Sequence, residues 1–172
     1  MEFTVIASEA DEALHEHLTP AELSQLNAYR KARAVAKKHP DALVLAADTV
    51  VYKDTTFFGK PANFEDAYRM LKQLQGGTHQ VVTGVCLLHL RVHQQKMFAE
   101  STKVTFRALD VQQIQEYIGQ INPLDKAGAY AIQEHGDKIV ENISGSFTNV
   151  VGLPVERLMA ELNSWVSGGS GI

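Results

Sequence analysis

The sequence predicts a mixed sheet flanked by helices, an α/β or α+β protein with a cleft. Three observations support this prediction: a well-marked helix start near residue 19, an apolar run over 43–52, and two long strand-like segments at 80–92 and 96–108. Helices and strands that follow one another in this order pack as a sheet with helices on its faces. A chain of 172 residues is long enough to form one compact domain with a buried core.

The first helix carries start and stop signals. Thr19 supplies a side-chain cap, Pro20 fits the first turn, and Glu22 stands where a capping box places an acid. We expect the helix to run to about Lys38, because Pro40 cannot continue it.

Two charged residues fall at positions that the hydrophobic pattern predicts to be buried. Lys31 lies on the helix stripe marked by Ala28 and Val35, so it should face the body of the protein. Asp48 interrupts the predicted strand over 43–52, which is apolar on both of its faces. An ionised carboxylate in such a strand costs free energy unless a cation or hydrogen-bond donors compensate it. Asp48 is therefore the first candidate functional residue, and a loop cap at the strand end is the alternative.

The remaining elements are predicted from periodicity and turn residues. Short strands are expected at 3–7, 129–133, 138–141 and 147–151, and a short helix at 110–118. A second helix over 63–75 should bury Phe64, Ala67, Leu71 and Leu74. A last helix from Pro154 should present one face formed by Val155, Leu158, Met159, Leu162 and Trp165. Residues 1–166 are expected to form a single domain, and the Gly/Ser-rich residues 167–172 a flexible tail.

Composition and charge narrow the range of partners. The formal net charge is -4 and no run of Lys or Arg exceeds two residues, so we expect no nucleic-acid polymer as a ligand. A small anionic ligand remains compatible with this charge. Cys86 is the only cysteine, which excludes an intramolecular disulfide and favours a reducing compartment. The apolar stretches are shorter than a membrane span, so we expect a cytoplasmic protein that does not bind a membrane.

Three further segments hold residues suited to phosphate chemistry. Gly59-Lys60-Pro61 would present a lysine on a stiff loop, and Asp125-Lys126-Ala127-Gly128 places an acid beside a base shortly before Gln133. Glu12 could join Asp48 as a second metal ligand, since Mg²⁺ sites use one or two carboxylates with phosphates and water. The plainer alternatives are a surface turn, a solvated ion pair and a solvated loop. The absence of a glycine-rich phosphate loop argues against a P-loop NTPase.

Taken in order, five segments resemble the Maf family of nucleoside triphosphate pyrophosphatases. They are Ala46-Ala47-Asp48-Thr49-Val50-Val51, Gly59-Lys60-Pro61, Gly77-Thr78-His79-Gln80-Val81-Val82-Thr83-Gly84-Val85, Leu124-Asp125-Lys126-Ala127-Gly128-Ala129-Tyr130-Ala131-Ile132-Gln133 and Val150-Val151-Gly152-Leu153-Pro154. Each is weak alone, but five in order over nearly the whole chain form a specific signal. The family's N-terminal Ser-x-Ser-Pro-Arg-Arg segment, whose arginines grip the triphosphate, has no match in this sequence. We therefore expect activity to be reduced relative to the family.

The resemblance implies a twisted, mixed α/β sheet flanked by helices, with two lobes and a central cleft, like that of the inosine triphosphate pyrophosphatases. It implies a homodimer that hydrolyses a nucleoside triphosphate to the monophosphate and pyrophosphate, assisted by Mg²⁺, Mn²⁺ or another divalent cation. The segments Ala-Asp-Thr and Ala-Tyr-x-Ile-Gln resemble the branch acting on dTTP and UTP. The resemblance also implies residue roles, carried over by motif position. Asp48 would be the central acid that holds the metal or activates water, and Glu12 would be its carboxylate partner and second metal ligand. Lys31, Lys60 and Lys126 would face the phosphates, with Lys60 catalytic, and Thr49 and Gln133 would make supporting polar contacts.

Two other functions stay open at the level of sequence. The first is a nucleotide-binding or regulatory protein of the same fold without turnover, which the unmatched arginine segment motivates. The second is an interaction protein connected with cell division, after the family's older description as septum formation inhibitors. No residue of this chain supports the second function directly.

Overall fold

The computed structural model describes residues 2–11 and 17–168, and its five strands form one sheet in the order β2-β1-β3-β4-β5. The elements in chain order are α1 (Pro20–Lys38), β1 (Val44–Lys53), β2 (Thr56–Phe58), α2 (Phe64–Leu74), β3 (Thr78–His89), β4 (Gln94–Phe106), α3 (Val111–Ile118), α4 (Gly136–Ile139), β5 (Val140–Ser144), α5 (Phe147–Val151) and α6 (Val155–Gly168). Two 3₁₀ turns, Pro123–Asp125 and Ala127–Ala129, lie between α3 and α4. The predicted α/β class, a sheet with flanking helices, is confirmed.

The outer strand pairs of the sheet are antiparallel. Val51 of β1 stands opposite Phe58 of β2, and Val104 of β4 stands opposite Ile143 of β5. By compactness the chain divides into two units. Unit 1 comprises the described residues of Met1–Thr49 together with Val82–Glu100, and unit 2 comprises Val50–Val81 together with the described residues of Ser101–Ile172.

In unit 1, α1 forms because its first turn is fully capped. Thr19 Oγ1 accepts a hydrogen bond from the Glu22 backbone amide at 3.3 Å, and the Thr19 amide donates to Glu22 Oε2 at 2.8 Å. This reciprocal capping box confirms the predicted helix start. The helix packs through small residues against two strands, in a cluster formed by Ala28, Ala32, Ala36, Val44, Cys86 and Leu88.

A single glycine allows α1 to approach β3 at backbone distance. A Cβ atom on Gly84 would lie 2.3 Å from both the Gln25 nitrogen and the Ser24 carbonyl carbon. No side chain can occupy that space without moving the helix, because the neighbouring atoms belong to the helix backbone. Gly84 therefore sets the separation between α1 and the sheet.

In unit 2, a larger apolar core forms around α2, α3 and the strands. The helix α2 contributes Ala67, Leu71 and Leu74, all fully buried, as its periodicity predicts. Their core partners include Val51, Phe58, Val81, Val104, Phe106, Ile114, Tyr117, Ala129, Tyr130 and Ile139. The predicted short helix after Asp110 is confirmed as α3, whose N-cap is a capping box between Asp110 and Gln113.

Several predicted strands are wrong. Residues 3–7 form no strand and are largely exposed, because a strand needs a paired neighbour that a local pattern cannot provide. Residues 129–133 form no strand, since Ala129 ends a 3₁₀ turn and residues 132 and 133 lie in a turn. The strand predicted at 138–141 is displaced to Val140–Ser144 behind the short helix α4. Residues 147–151 are the helix α5, since the Ser146 side chain caps its start and Gly152 with φ 120° ends it. The strand β2 was not predicted.

Some predicted burials in the helices are also wrong. Phe64 is 55% exposed because it occupies the first position of α2, beyond the stripe that reaches the core. Along α6, Leu158 and Leu162 are buried but Val155 and Met159 are exposed, so the apolar face is narrower than predicted. The helix continues to Gly168, so the first two residues of the predicted tail are helical, while 169–172 lie outside the described residues. Among the described helices, none has the length and apolar content that a membrane span requires.

Candidate active site

Asp48 lies within β1, and each of its carboxylate oxygens accepts a hydrogen bond from α1. Lys31 Nζ donates to Oδ1 at 2.6 Å, and Asn27 Nδ2 donates to Oδ2 at 3.1 Å. The Asp48 side chain is 7% exposed and that of Lys31 is 23% exposed. A cation and an amide donor thus compensate the buried carboxylate. A loop cap at the strand end does not describe Asp48, because β1 continues to Lys53.

The geometry of α1 places both donors on one side of the helix. Asn27 and Lys31 are four residues apart, so their side chains lie one above the other on the same face. That Lys31 faces the body of the protein is confirmed. Asn27 was missed at the level of sequence, although a polar amide four residues before a buried lysine is a signal that could have identified it.

Thr49 contributes to the other face of the strand. Its hydroxyl shares a hydrogen bond of 2.9 Å with the hydroxyl of Thr83 on β3, and Thr83 is fully buried. Since successive residues of a strand point to opposite faces, Thr49 lies on the side of β1 away from Asp48. The structure therefore groups Lys31, Asn27 and Asp48 on one face of unit 1 and the two threonines on the other.

In unit 2, the loops that carry Lys60 and Lys126 are joined by a backbone hydrogen bond. The Gly128 amide donates to the Gly59 carbonyl at 3.0 Å. Gly128 has φ 70°, and a Cβ atom there would lie 3.2 Å from both methyl carbons of Val51. Glycine is thus required at position 128 for its backbone conformation as well as for space. The lysines were predicted from separate motifs, and the structure places their loops next to each other.

The lysine ammonium groups differ in their surroundings. Lys60 is exposed, whereas the Lys126 side chain is 27% exposed, with its Nζ 3.3 Å from Asp125 Oδ2 and 3.5 Å from Glu134 Oε1. Ion pairs of this exposure contribute little to stability, so they leave the ammonium able to exchange partners. Gln133 is exposed on the same segment as Lys126. A lysine acts toward phosphate as a point charge, and these loops therefore present positive charge to an anion.

Unit 2 also contains a buried aromatic cluster that was not predicted from the sequence. His79 Nε2 and Tyr130 Oη share a hydrogen bond of 2.8 Å, and both rings pack edge-on against Phe106. Burial lowers the pKa of His79 to about 4, and the charge of Lys53 acts in the same direction. Burial also raises the pKa of Tyr130 far above its ordinary range. At neutral pH both side chains are therefore uncharged.

Of the two carboxylates predicted to bind a metal ion, Asp48 is the one that lies within the described residues. Glu12 lies outside the described residues. Within residues 2–11 and 17–168, no group of three or more His, Cys, Asp or Glu side chains is arranged to hold a metal ion. A Mg²⁺ site that takes one or two carboxylates and completes its shell with phosphates and water does not need such a group.

Comparison with known proteins places these features in one family. The family model for Maf-like proteins matches residues 1–165. The chain belongs to the Maf family. The relatives that this Maf-family chain matches include proteins named dTTP/UTP pyrophosphatase from Geobacillus sp. (strain WCH70) and Carboxydothermus hydrogenoformans. The first is 44% identical over 162 residues, covering 94% of this chain and 86% of the relative. The second is 45% identical over 163 residues, covering 95% and 87%.

A third relative gives the same picture. The dTTP/UTP pyrophosphatase of Bacillus cytotoxicus is 42% identical over 168 residues, which is 98% of this Maf-family chain and 87% of the relative. The predicted family resemblance is therefore confirmed over nearly the whole chain, and the five motifs that carried it lie within the matched range.

Proposed function

We propose that this Maf-family protein hydrolyses a nucleoside triphosphate, dTTP, UTP or a modified pyrimidine nucleotide, to the monophosphate and pyrophosphate. The observation that carries the proposal is the buried carboxylate of Asp48, held at both oxygens by Lys31 and Asn27. A buried charge so fixed is typical of a functional site. The names of three relatives at 42 to 45% identity support the choice of substrate.

The reaction requires water to attack the α-phosphorus while the bond to the β-phosphate oxygen breaks, which leaves pyrophosphate as the departing group. Catalysis of such a step depends on placing the reactants and on stabilising negative charge. Asp48 would orient the attacking water and accept its proton, or hold the metal. Lys31, Lys60 and Lys126 would neutralise phosphate charge, with Gln133 as a supporting contact. Thr49, whose hydroxyl pairs with that of Thr83 on the side of β1 away from Asp48, would support the strand and not the same phosphate oxygens.

The donor set of Asp48 fits a divalent cation such as Mg²⁺ or Mn²⁺. A carboxylate offers about four lone-pair sites, of which Lys31 and Asn27 take one each. Oxygen ligands are those that Mg²⁺ prefers, and Glu12 would be the second carboxylate. When bound, the cation would supply charge neutralisation at the phosphates.

We also propose that the protein is a homodimer and that it is located in the cytoplasm. Exposed apolar side chains on α5 and α6, namely Phe147, Val151, Val155 and Met159, support association with a second copy. The single buried cysteine, Cys86, supports a reducing compartment.

The test is pyrophosphate release from a panel of nucleoside triphosphates with Mg²⁺, in which this chain is compared with an Asp48→Asn variant. We expect turnover of dTTP or UTP by the parent chain and a loss of at least a hundredfold in the variant, because the amide cannot accept a proton or supply the negative charge. Circular dichroism and urea unfolding would verify that the variant is folded. Unchanged pyrophosphate release by Asp48→Asn would refute the role of Asp48.

The same panel separates the enzyme from a binding protein. If the folded parent chain turns over no nucleotide, titration calorimetry with dTTP decides whether it still binds one. Binding without turnover would replace the enzyme by a nucleotide-binding protein of the same fold.

A further inference from the structure

The segment between Lys126 and Gln133 lacks a regular element that would fix its shape. It contains the 3₁₀ turn Ala127–Ala129, then the extended Tyr130, and a turn that begins at residue 132, and it has positive φ angles of 70° at Gly128 and 63° at Ala129. A non-glycine residue with φ near 60° is held against its own preference, at a cost of about 1–2 kcal/mol. The Ala129 amide donates to the Lys126 carbonyl at 3.1 Å within the segment, and contacts from outside the segment add to this local bond.

The hydroxyl of Tyr117 supplies two of these contacts. From α3, it donates a hydrogen bond to the Ala131 carbonyl at 3.1 Å and accepts one from the Ala131 amide at 3.2 Å. Tyr117 is 1% exposed, so water cannot replace either bond readily. Burial raises the pKa of Tyr117 to about 12, and the hydroxyl therefore keeps its proton at neutral pH. One side chain thus satisfies both backbone groups of a residue two positions before Gln133.

Two further anchors hold the segment at other points. Tyr130 is fixed by His79 through the hydrogen bond of 2.8 Å, and Gly128 is fixed by the Gly59 carbonyl. These contacts hold the segment at residues 128, 130 and 131. Lys126 and Gln133 lie at its two ends, where their polar side chains point outward. Deleting the hydroxyl oxygen of Tyr117 removes both hydrogen bonds at Ala131 and leaves the contacts at 128 and 130 in place.

We propose that Tyr117 is a positioning residue for the pyrophosphatase reaction, whose hydroxyl holds the backbone of Ala131 and thereby sets where Lys126 and Gln133 lie. This inference rests on the proposed function, in which both of those side chains contact the substrate. Tyr117 itself acts through the segment and does not touch the nucleotide. An error of about 1 Å in the placement of a catalytic site can cost a hundredfold in rate.

The test is a Tyr117→Phe substitution, which keeps the ring in the core and removes both hydrogen bonds. We expect kcat for pyrophosphate release from dTTP to fall at least tenfold while the protein remains folded by circular dichroism. Tyr68→Phe is the matched control, because Tyr68 packs against the same core, and its kcat should stay within twofold of the parent. A Tyr117→Phe protein with the kcat of this control would overturn the proposal.

A double-mutant cycle with Lys126→Ala distinguishes positioning from a general loss of stability. If Tyr117 acts through the segment, its substitution should change kcat at least threefold less in the Lys126→Ala background than in the parent. Equal fold-changes in the two backgrounds would overturn the proposal. So would unchanged turnover in both Lys126→Ala and Gln133→Ala, since Tyr117 would then have no substrate-contacting side chain to position.

Hydrogen exchange measures the same contact without any activity. The amide of Ala131 should exchange at least tenfold faster in Tyr117→Phe than in the parent, and unchanged exchange would show that the hydroxyl does not hold the segment. If the parent chain turns over no nucleotide, the proposed function fails, and the positioning of a catalytic segment fails with it. Faster exchange would in that case identify Tyr117 as a structural anchor only.

Discussion

Replacing Gly84 by alanine should separate α1 from the sheet and damage the site that depends on the helix. The added Cβ would lie 2.3 Å from the backbone of Ser24 and Gln25. Since non-bonded carbon atoms prefer a separation of about 3.5 Å, the start of α1 would have to retreat from β3 by roughly 1 Å. Backbone atoms cannot rotate away as a side chain can, so the helix itself must move.

The size of the effect follows from that displacement. Overpacking of a core costs about 1–3 kcal/mol, and the backbone contact places Gly84→Ala at the upper end, about 3 kcal/mol. With an m value of about 2 kcal/mol/M, the urea midpoint should fall by about 1.5 M. The shift also carries Asn27 and Lys31 away from Asp48, which lengthens the contacts of 3.1 and 2.6 Å. Turnover should therefore fall by about a hundredfold.

The assay combines urea unfolding with pyrophosphate release measured well below the midpoint. Gly119→Ala is the matched control, because Gly119 has φ -70° and a Cβ there would meet its nearest neighbour at 3.5 Å, an ordinary contact. Its stability should change by less than about 1 kcal/mol. If Gly84→Ala behaves like Gly119→Ala in both measurements, the reasoning about the close approach of α1 is wrong.

Two further predictions concern buried polar groups. The pKa of His79 is about 4 in the folded chain and 6.5 in the unfolded chain. Between pH 4 and pH 6.5, the unfolded chain therefore binds a proton at this residue and the folded chain does not. Stability from this source is complete above pH 6.5 and is lost as pH falls to 4, by on the order of 3 kcal/mol. A His79→Gln variant should show a shallower decline of its urea midpoint between pH 7 and pH 4.5, and an equal decline in both proteins would contradict the assignment. Asn27→Asp should be destabilised more than Asn27→Leu in urea unfolding, because it sets a second carboxylate against Asp48 where the structure has an amide donor at 3.1 Å. Equal midpoints for the two variants would show that the amide does not donate to Asp48.

The inward positions of Lys31 and Asp48 could be predicted from the hydrophobic patterns of α1 and β1, whereas their pairing with each other was not predicted. A lysine in a buried helix stripe and a carboxylate in a buried strand both need a partner, and each provides what the other lacks. The helix α1 could be predicted for a similar reason, since its capping box is formed by residues three positions apart. Features that local sequence determines were therefore accessible without the structure.

The conformation of the segment before Gln133 could not be predicted in this way. The positive φ of Ala129 is not marked by a glycine in the sequence, and two residues later the backbone of Ala131 is bonded by Tyr117, which lies 14 residues away in the chain. The close approach of α1 at Gly84 could not be predicted either, because a glycine in a strand does not indicate which backbone segment packs against it. The segment at 147–151 was predicted as a strand, whereas the caps at its two ends make it a helix.

The hydrogen bond between Gly128 and Gly59 makes the spacing of the two lysine loops independent of the charge that their side chains present. Both partners are backbone atoms, so the bond does not depend on the side chain at position 60 or 126. Substitutions at either lysine can therefore alter the charge offered to a ligand while the spacing of the two loops is retained. The backbone bond thus fixes the distance between the two loops at that point, while the side chains at positions 60 and 126 set the charge that the loops present to an anionic ligand.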